Sequence, residues 1–256
     1  MQSAIEVQKI KIEFTSINKD SPRLAFHHGN NQLWVSHSNL NSIHKYDFNK
    51  ETQMLVFKEF IQIPFENGFD SMFLIEDYNL YLGNVFSMGL VMFSMKTGLP
   101  TQEYKLKAND YNRIGNSTLL IGSFKNIYVM NLDSQNIVQE LSICKEFLNS
   151  LCWFSIKKQL VVGGWDNFLR IFDFKVFGDY MQLMKRGEAK PSGKTIYRII
   201  PINSKLALFT ARDNCLYTYN IETEEIQSKE FKEIEGAFTN FWFDSTRGTF
   251  IVKVGC

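Results

Sequence analysis

The chain has 256 residues, 45% of them apolar and 21% charged, which supplies a sizeable core and excludes a disordered or fibrous composition. Lys and Arg number 28 against 27 Asp and Glu, a formal charge of +1, so no long-range field draws the whole surface toward nucleic acid or anionic lipid. The opening MQSAIEVQKIKIEF lacks a basic segment followed by a sustained apolar run, and nothing later approaches the roughly 18 to 20 apolar residues that span a bilayer, so an intracellular protein, cytoplasmic or nuclear and without membrane contact, is expected.

In chain order, residues 5–14 (IEVQKIKIEF) alternate like a spare edge strand. A phrase then recurs: a short apolar run, a tight polar turn, a second apolar run with an aromatic near its end, and Asn or Asp. Its copies are QLWVSHSNLNSIHKYDFN, NLYLGNVFSMGLVMFSM, TLLIGSFKNIYVMNLD, QLVVGGWDNFLRIFDF and KLALFTARDNCLYTYNI, each read as two strands joined by a hairpin. A strand-like run precedes each copy (RLAFHH, SMFLIED, YNRIGN, SLCWFSI, YRIIPI) and another follows it (QMLVFKEF, QEYKLK, IVQELSI, DYMQLMK, IQSKEF). Each unit therefore holds four strands. Residues 138–150 admit a second reading, because Val138, Leu141, Cys144 and Phe147 or Leu148 also satisfy the spacing of a short helix. After the fifth unit, GAFTNFWFDSTRGTFIVKVGC provides two strands of a sixth.

Aligned on the second run, Tyr46, Phe93, Met130, Phe172 and Tyr219 share a column with spacings of 47, 37, 42 and 47 residues. A four-stranded antiparallel blade needs about 40 to 45 residues, and runs rich in Val, Ile, Leu, Phe and Tyr bounded by Gly, Asn, Asp and Ser are strands rather than helices. The expected fold is all-β, one domain over residues 1–256: a propeller of about five complete four-stranded blades plus a partial sixth.

Residues 150–174, SLCWFSIKKQLVVGGWDNFLRIFDF, resemble a WD40 repeat, with a strand ending in glycines, then W-D-N, then a strand ending in aromatic-Asp. The resemblance implies that Asp166, and Asp213 one unit later, support their hairpins as turn aspartates. It also implies that residues 5–14 close the ring on the last blade; one strand would still be missing, so a partner chain or a longer protein is expected to complete it. The chain departs from the family in two respects. The repeat-ending Trp is replaced by the five residues of the column, and the Gly-His pair is absent, so rigidity must rest on apolar burial between blades, about 1.5 to 3 kcal/mol per large side chain.

Chemistry is sparse. His27, His28, His37 and His44 all lie in the first unit, but the strand reading puts the two pairs at opposite ends of the blade, well over 10 Å apart, and no metal site is expected. The stretch RGEAKPSGKT imitates a phosphate loop, yet Glu188 stands where the first glycine belongs and a strand follows instead of a helix. Cys144, Cys152, Cys215 and Cys256 form no C-x-x-C pair and read as reduced structural thiols. Without a nucleophile, base and acid grouping, neither an enzyme nor a cofactor is expected.

The same stretch is read as a flexible basic loop in which Lys185, Arg186, Lys190 and Lys194 face only Glu188. Blade connections and second-to-third-strand turns share one edge, which places this loop near Trp165 and Arg212, an arrangement suited to an acidic or phosphorylated peptide. Trp34, Trp153 and Trp242 are expected in the core. The functional expectation is a scaffold holding protein or peptide partners. Two alternatives stand beside it, a propeller enzyme with its site at the central channel and a structural subunit of a large assembly.

Overall fold

The computed structural model describes residues 23–36, 41–49, 51–52, 54–66, 68–85, 88–177, 180–232, 236–244 and 249–255. Residues 5–14, His37 and Cys256 lie outside this set, as does the side chain of Trp242. Blade 1 holds β1 (Arg23–His27), β2 (Gln32–Ser36), β3 (Ser42–Asn49) and β4 (Met54–Gln62). Blade 2 holds β5 (Phe69–Ile75), β6 (Leu80–Val85), β7 (Gly89–Ser94) and β8 (Pro100–Tyr104), with the 3-10 turn Glu76–Tyr78 between its first two strands. Blade 3 follows with β9 (Asp110–Ile114), β10 (Thr118–Ser123), β11 (Asn126–Asn131) and β12 (Asn136–Ser142), and blade 4 with β13 (Leu148–Phe154), β14 (Gln159–Gly164), β15 (Leu169–Phe177) and β16 (Tyr180–Ala189). Blade 5 comprises β17 (Ile196–Pro201), β18 (Leu206–Ala211), β19 (Cys215–Asn220) and β20 (Ile226–Glu230), and the pair β21 (Ala237–Asp244) and β22 (Thr249–Gly255) comes last.

Every blade is an antiparallel meander in chain order, and the five are arranged in a ring as a β-propeller. The strands expected from the sequence recur at nearly the same bounds. Residues 138–150 form no helix. They comprise the end of β12, with alternating exposed and half-buried residues, the connection 143–147 and the start of β13. The helical spacing there is a coincidence, with Val138 and Leu141 in one blade's last strand, Cys144 and Phe147 in the connection and Leu148 in the next blade's first strand.

The units are equivalent down to single hydrogen bonds. Near the end of each third strand, the amides of Phe48, Met95, Leu132, Phe174 and Ile221 donate to the carbonyls of Asn31, Asn79, Ser117, Lys158 and Lys205, at 2.7 to 3.0 Å. Where the third strand turns, the side-chain oxygens of Asn49, Ser94, Asn131 and Asn220 accept amides two or three residues on. This is why a short polar residue ends the recurring phrase: its side-chain oxygen accepts the amides that a tight turn leaves without a carbonyl partner.

The aligned column faces one way. Phe93, Met130, Phe172 and Tyr219 are buried in four successive clusters, each joining its own blade to the one before it. Tyr46, in blade 1, is half-buried and meets Phe57 at 5.7 Å. Gly163 lets blades 4 and 5 approach, because a Cβ there would stand 2.5 Å from Ile196, and Gly83 leaves room for the Phe69 ring of its own blade, 2.6 Å from where its Cβ would be. Trp34 is buried, and Trp153 is half-buried with its ring 5.0 Å from Phe174. Among the described residues no helix is long and apolar enough to cross a membrane.

Candidate binding edge and axial network

One edge of the propeller collects the turns between second and third strands and the connections between blades, and backbone bonds lace them together. Leu148 N–H donates to the Phe124 carbonyl at 2.5 Å, Trp165 N–H to Phe147 at 2.8 Å and Arg212 N–H to Thr195 at 2.8 Å. This lacing sets three rings in a row. Phe124 lies 5.0 Å from Phe147, and Phe147 lies 5.0 Å from Trp165, with tilts of 39° and 43°. They are 51%, 40% and 52% exposed, so about half of each large apolar side chain faces solvent with no strand packed over it. Phe124 adopts φ +46°, a left-handed conformation that costs a bulky residue about 1 to 2 kcal/mol.

The turn after Trp165 is built on Asp166. Its carboxylate accepts the Phe168 amide at 3.4 Å and two guanidinium N–H groups of Arg170 at 2.9 and 2.7 Å. Burial pushes the Asp166 carboxyl up, but the Arg170 fork outweighs it and holds the group below the usual carboxylate range. Arg170 also approaches Glu188 at 3.7 Å and the buried Cys144, whose thiol burial pushes up to about 11. In blade 5, Asp213 accepts the Cys215 amide at 3.1 Å and the Tyr217 hydroxyl at 2.9 Å. Both turn aspartates are therefore occupied by their own hairpins.

The cations divide into two groups. Lys190 reaches the Phe168 ring at 5.8 Å, and Lys190, Lys194 and Arg212 are exposed in the connection and turn beside it. Lys125, next to Phe124, and Lys145, two residues before Phe147, are exposed along the same edge. Among the described residues none of these five makes an ion pair within 4 Å. Lys185 and Arg186 differ, and the flexible loop read from the sequence is corrected here: β16 continues to Ala189, pairing Ala189 with Leu169 and Lys185 with Phe172, with Arg186 as the extra residue of a bulge. Lys185 is neutralised by Glu188 at 2.7 Å. Arg186 turns to Glu224 at 2.8 Å and Asp173 at 3.8 Å, toward the opposite edge, where β19 meets β20. Trp165, Lys190, Lys194 and Arg212 thus share an edge, and Arg186 does not.

Phe124, Phe147, Phe168, Lys125 and Lys145 were not anticipated, although one signal was available. GSFKN and GGWDN align, so Phe124 occupies in blade 3 the slot of Trp165 in blade 4. Phe147 carries no such signal, because its place in the row depends on the bond from its carbonyl to Trp165.

A second polar cluster lies on the innermost strands. Asp110 of β9, 4% exposed, accepts the Ser150 hydroxyl and the Leu151 amide of β13, both at 2.8 Å, and Arg198 of β17 at 2.6 Å. Ser150 in turn accepts the Ile199 amide at 3.0 Å. The carboxylate holds three donors from the next two blades, an arrangement that ties three blades together. In blade 1, His27 Nδ1 accepts the Asn30 amide at 3.2 Å and lies 3.2 Å from a Glu76 oxygen, and His44 contacts Phe57 and Phe60.

Compared with known proteins, the chain matches no family model and no curated protein.

Proposed function

We propose that the protein is a propeller of degenerate WD-type repeats serving in the cytoplasm or nucleus as a platform for partner proteins, and that the edge bearing Phe124, Phe147 and Trp165 receives an acidic or phosphorylated segment of the partner. The observation that carries this reading is the row of three half-exposed rings flanked by five cations that make no ion pair among the described residues. Large rings with few rotatable bonds are the anchors of protein interfaces, and surrounding cations steer and orient an acidic ligand. The strained backbone of Phe124 supports the same reading, because folding alone gives no reason to hold an exposed phenyl group in a left-handed turn. The buried Asp110 carboxylate supports this over a catalytic channel, since its three donors are the chain's own Ser150, Leu151 and Arg198 and it is engaged in joining blades.

The test is a variant combining Trp165→Ala, Lys190→Glu and Arg212→Glu. Partner recovery from native extract is expected to fall at least about tenfold, the loss of one aromatic anchor and its flanking charges. The melting temperature is expected to stay within a few degrees, because all three side chains are exposed. Equal recovery by variant and wild type would remove the basis of the proposal. Phosphatase treatment of the extract separates the two ligand chemistries: recovery lost after treatment indicates a phosphorylated segment, and recovery retained indicates Asp and Glu.

A further inference from the structure

The outermost strands of blades 2, 3 and 5 show water mainly polar side chains: Thr101, Gln102 and Glu103 in β8, Glu140 and Ser142 beside Val138 in β12, and Gln227 to Glu230 in β20. The exposed positions of β16 are likewise polar, among them Gln182, Lys185, Arg186 and Glu188. The same position in blade 1 is different. In β4, Met54, Val56, Phe57 and Phe60 are 53 to 63% exposed, on a nine-residue strand that among the described residues is hydrogen-bonded to β3 along one side only. An apolar edge of this length is an aggregation liability unless something pairs with it.

The sequence of that edge points to what pairs with it. The segment Val56-Phe57-Lys58-Glu59-Phe60-Ile61 is a palindrome in character about the Lys58–Glu59 bond. We propose that β4 is the seam of a two-fold dimer, pairing antiparallel with β4 of a second copy so that Lys58 opposes Glu59 twice, Phe57 opposes Phe60 twice and Val56 opposes Ile61 twice. A two-fold axis through such a seam requires opposed residues to share a face of the sheet, and in a regular strand residues three apart do not. The bulge in β4 removes that conflict. Tyr46 pairs with Phe57 and Lys45 with Glu59, leaving Lys58 as the extra residue. Phe57 and Phe60 therefore lie on one face, both against His44, at 6.0 and 6.4 Å. Val56 and Ile61 share the other, opposite Asp47 and Ile43.

The charges make the seam selective. A lysine at an edge bulge ordinarily deters strand addition, because an apolar incoming strand would leave the charge without a partner. In the two-fold register it meets Glu59 of the second copy. Lys58 is already 3.5 Å from Asp47 and Glu59 3.0 Å from Lys45, but their side chains remain 47% and 54% exposed and have room for a second partner. The outer strand lies at the perimeter, so two rings can join edge to edge without covering the aromatic row.

The experiment is light scattering and sedimentation equilibrium on the full chain. Wild type is expected to dimerise. Lys58→Glu and Glu59→Lys each place like charges opposite one another in the seam and are expected to weaken the dimer about tenfold or more. An equimolar mixture of the two variants is expected to restore it as a heterodimer, since every opposed pair is then unlike in charge. Val56→Lys is expected to abolish association in any mixture. Circular dichroism melting checks that each variant folds, and if Val56→Lys does not, the exposed charge reversals carry the test. A wild-type monomer at all concentrations, a dimer indifferent to both reversals, or a mixture that stays monomeric overturns the proposal. So does a monomer whose β4 amides resist hydrogen exchange, which would give the edge to another segment of the same chain.

Discussion

Phe124, Gly164 and Asp166 hold their places on the proposed binding edge by strain, by contact and by charge. Phe124 spends backbone strain to present a half-exposed ring. Phe124→Gly is expected to leave stability in urea unchanged or raised, because glycine takes a positive φ without a clash, while partner recovery falls. Gly164 is placed by contact. A Cβ on it would collide with the Phe147 carbonyl that the Trp165 amide binds, so Gly164→Ala is expected to cost about 1 to 3 kcal/mol in urea unfolding and to disorder the row. Asp166 is placed by charge. Its folded-state pKa lies below the unfolded value of about 3.9, so its contribution is present at neutral pH and is lost as pH falls through the folded pKa. Wild type is therefore expected to lose more stability between about pH 7 and pH 3 than Asp166→Asn, as read from urea midpoints at the two values.

At the scale of elements, the propeller was legible because its signals are local. Each hairpin is written in consecutive residues, and the column marks the same strand position in every blade, with Phe93, Met130, Phe172 and Tyr219 each facing the blade before their own. What escaped reading depends on pairing between distant residues. Lys185 and Arg186 resemble loop cations beside Gly187 and Pro191, and only the ladder with β15 makes them strand residues with ion pairs. The Asp110, Ser150 and Arg198 network joins positions 40 and 48 residues apart on three innermost strands, with no motif to announce it. Because Asp110 is buried and holds three donors, Asp110→Ala is expected to cost about 3 to 5 kcal/mol, chiefly through stranded partners in blades 4 and 5. Differential scanning calorimetry of the two proteins measures that loss, and a variant as stable as wild type would mean the network adds nothing to the ring.

At the scale of the molecule, a formal charge of +1 conceals an uneven surface. On the edge opposite the aromatic row, cations are met by acids: Lys157 and Lys205 both contact Glu222, and Arg186 contacts Glu224. On the edge of Phe124, Phe147 and Trp165, Lys125, Lys145, Lys190, Lys194 and Arg212 make no ion pair within 4 Å among the described residues. The central claim, that this edge grips an acidic partner, is tested most directly by zero-length carbodiimide crosslinking in native extract followed by mass spectrometry, which joins a lysine only to a carboxylate in contact with it. The expected links run from Lys125, Lys145, Lys190 and Lys194 to Asp and Glu of one partner chain. Links concentrated instead on Lys96, Lys157 and Lys205, across the ring, would contradict it.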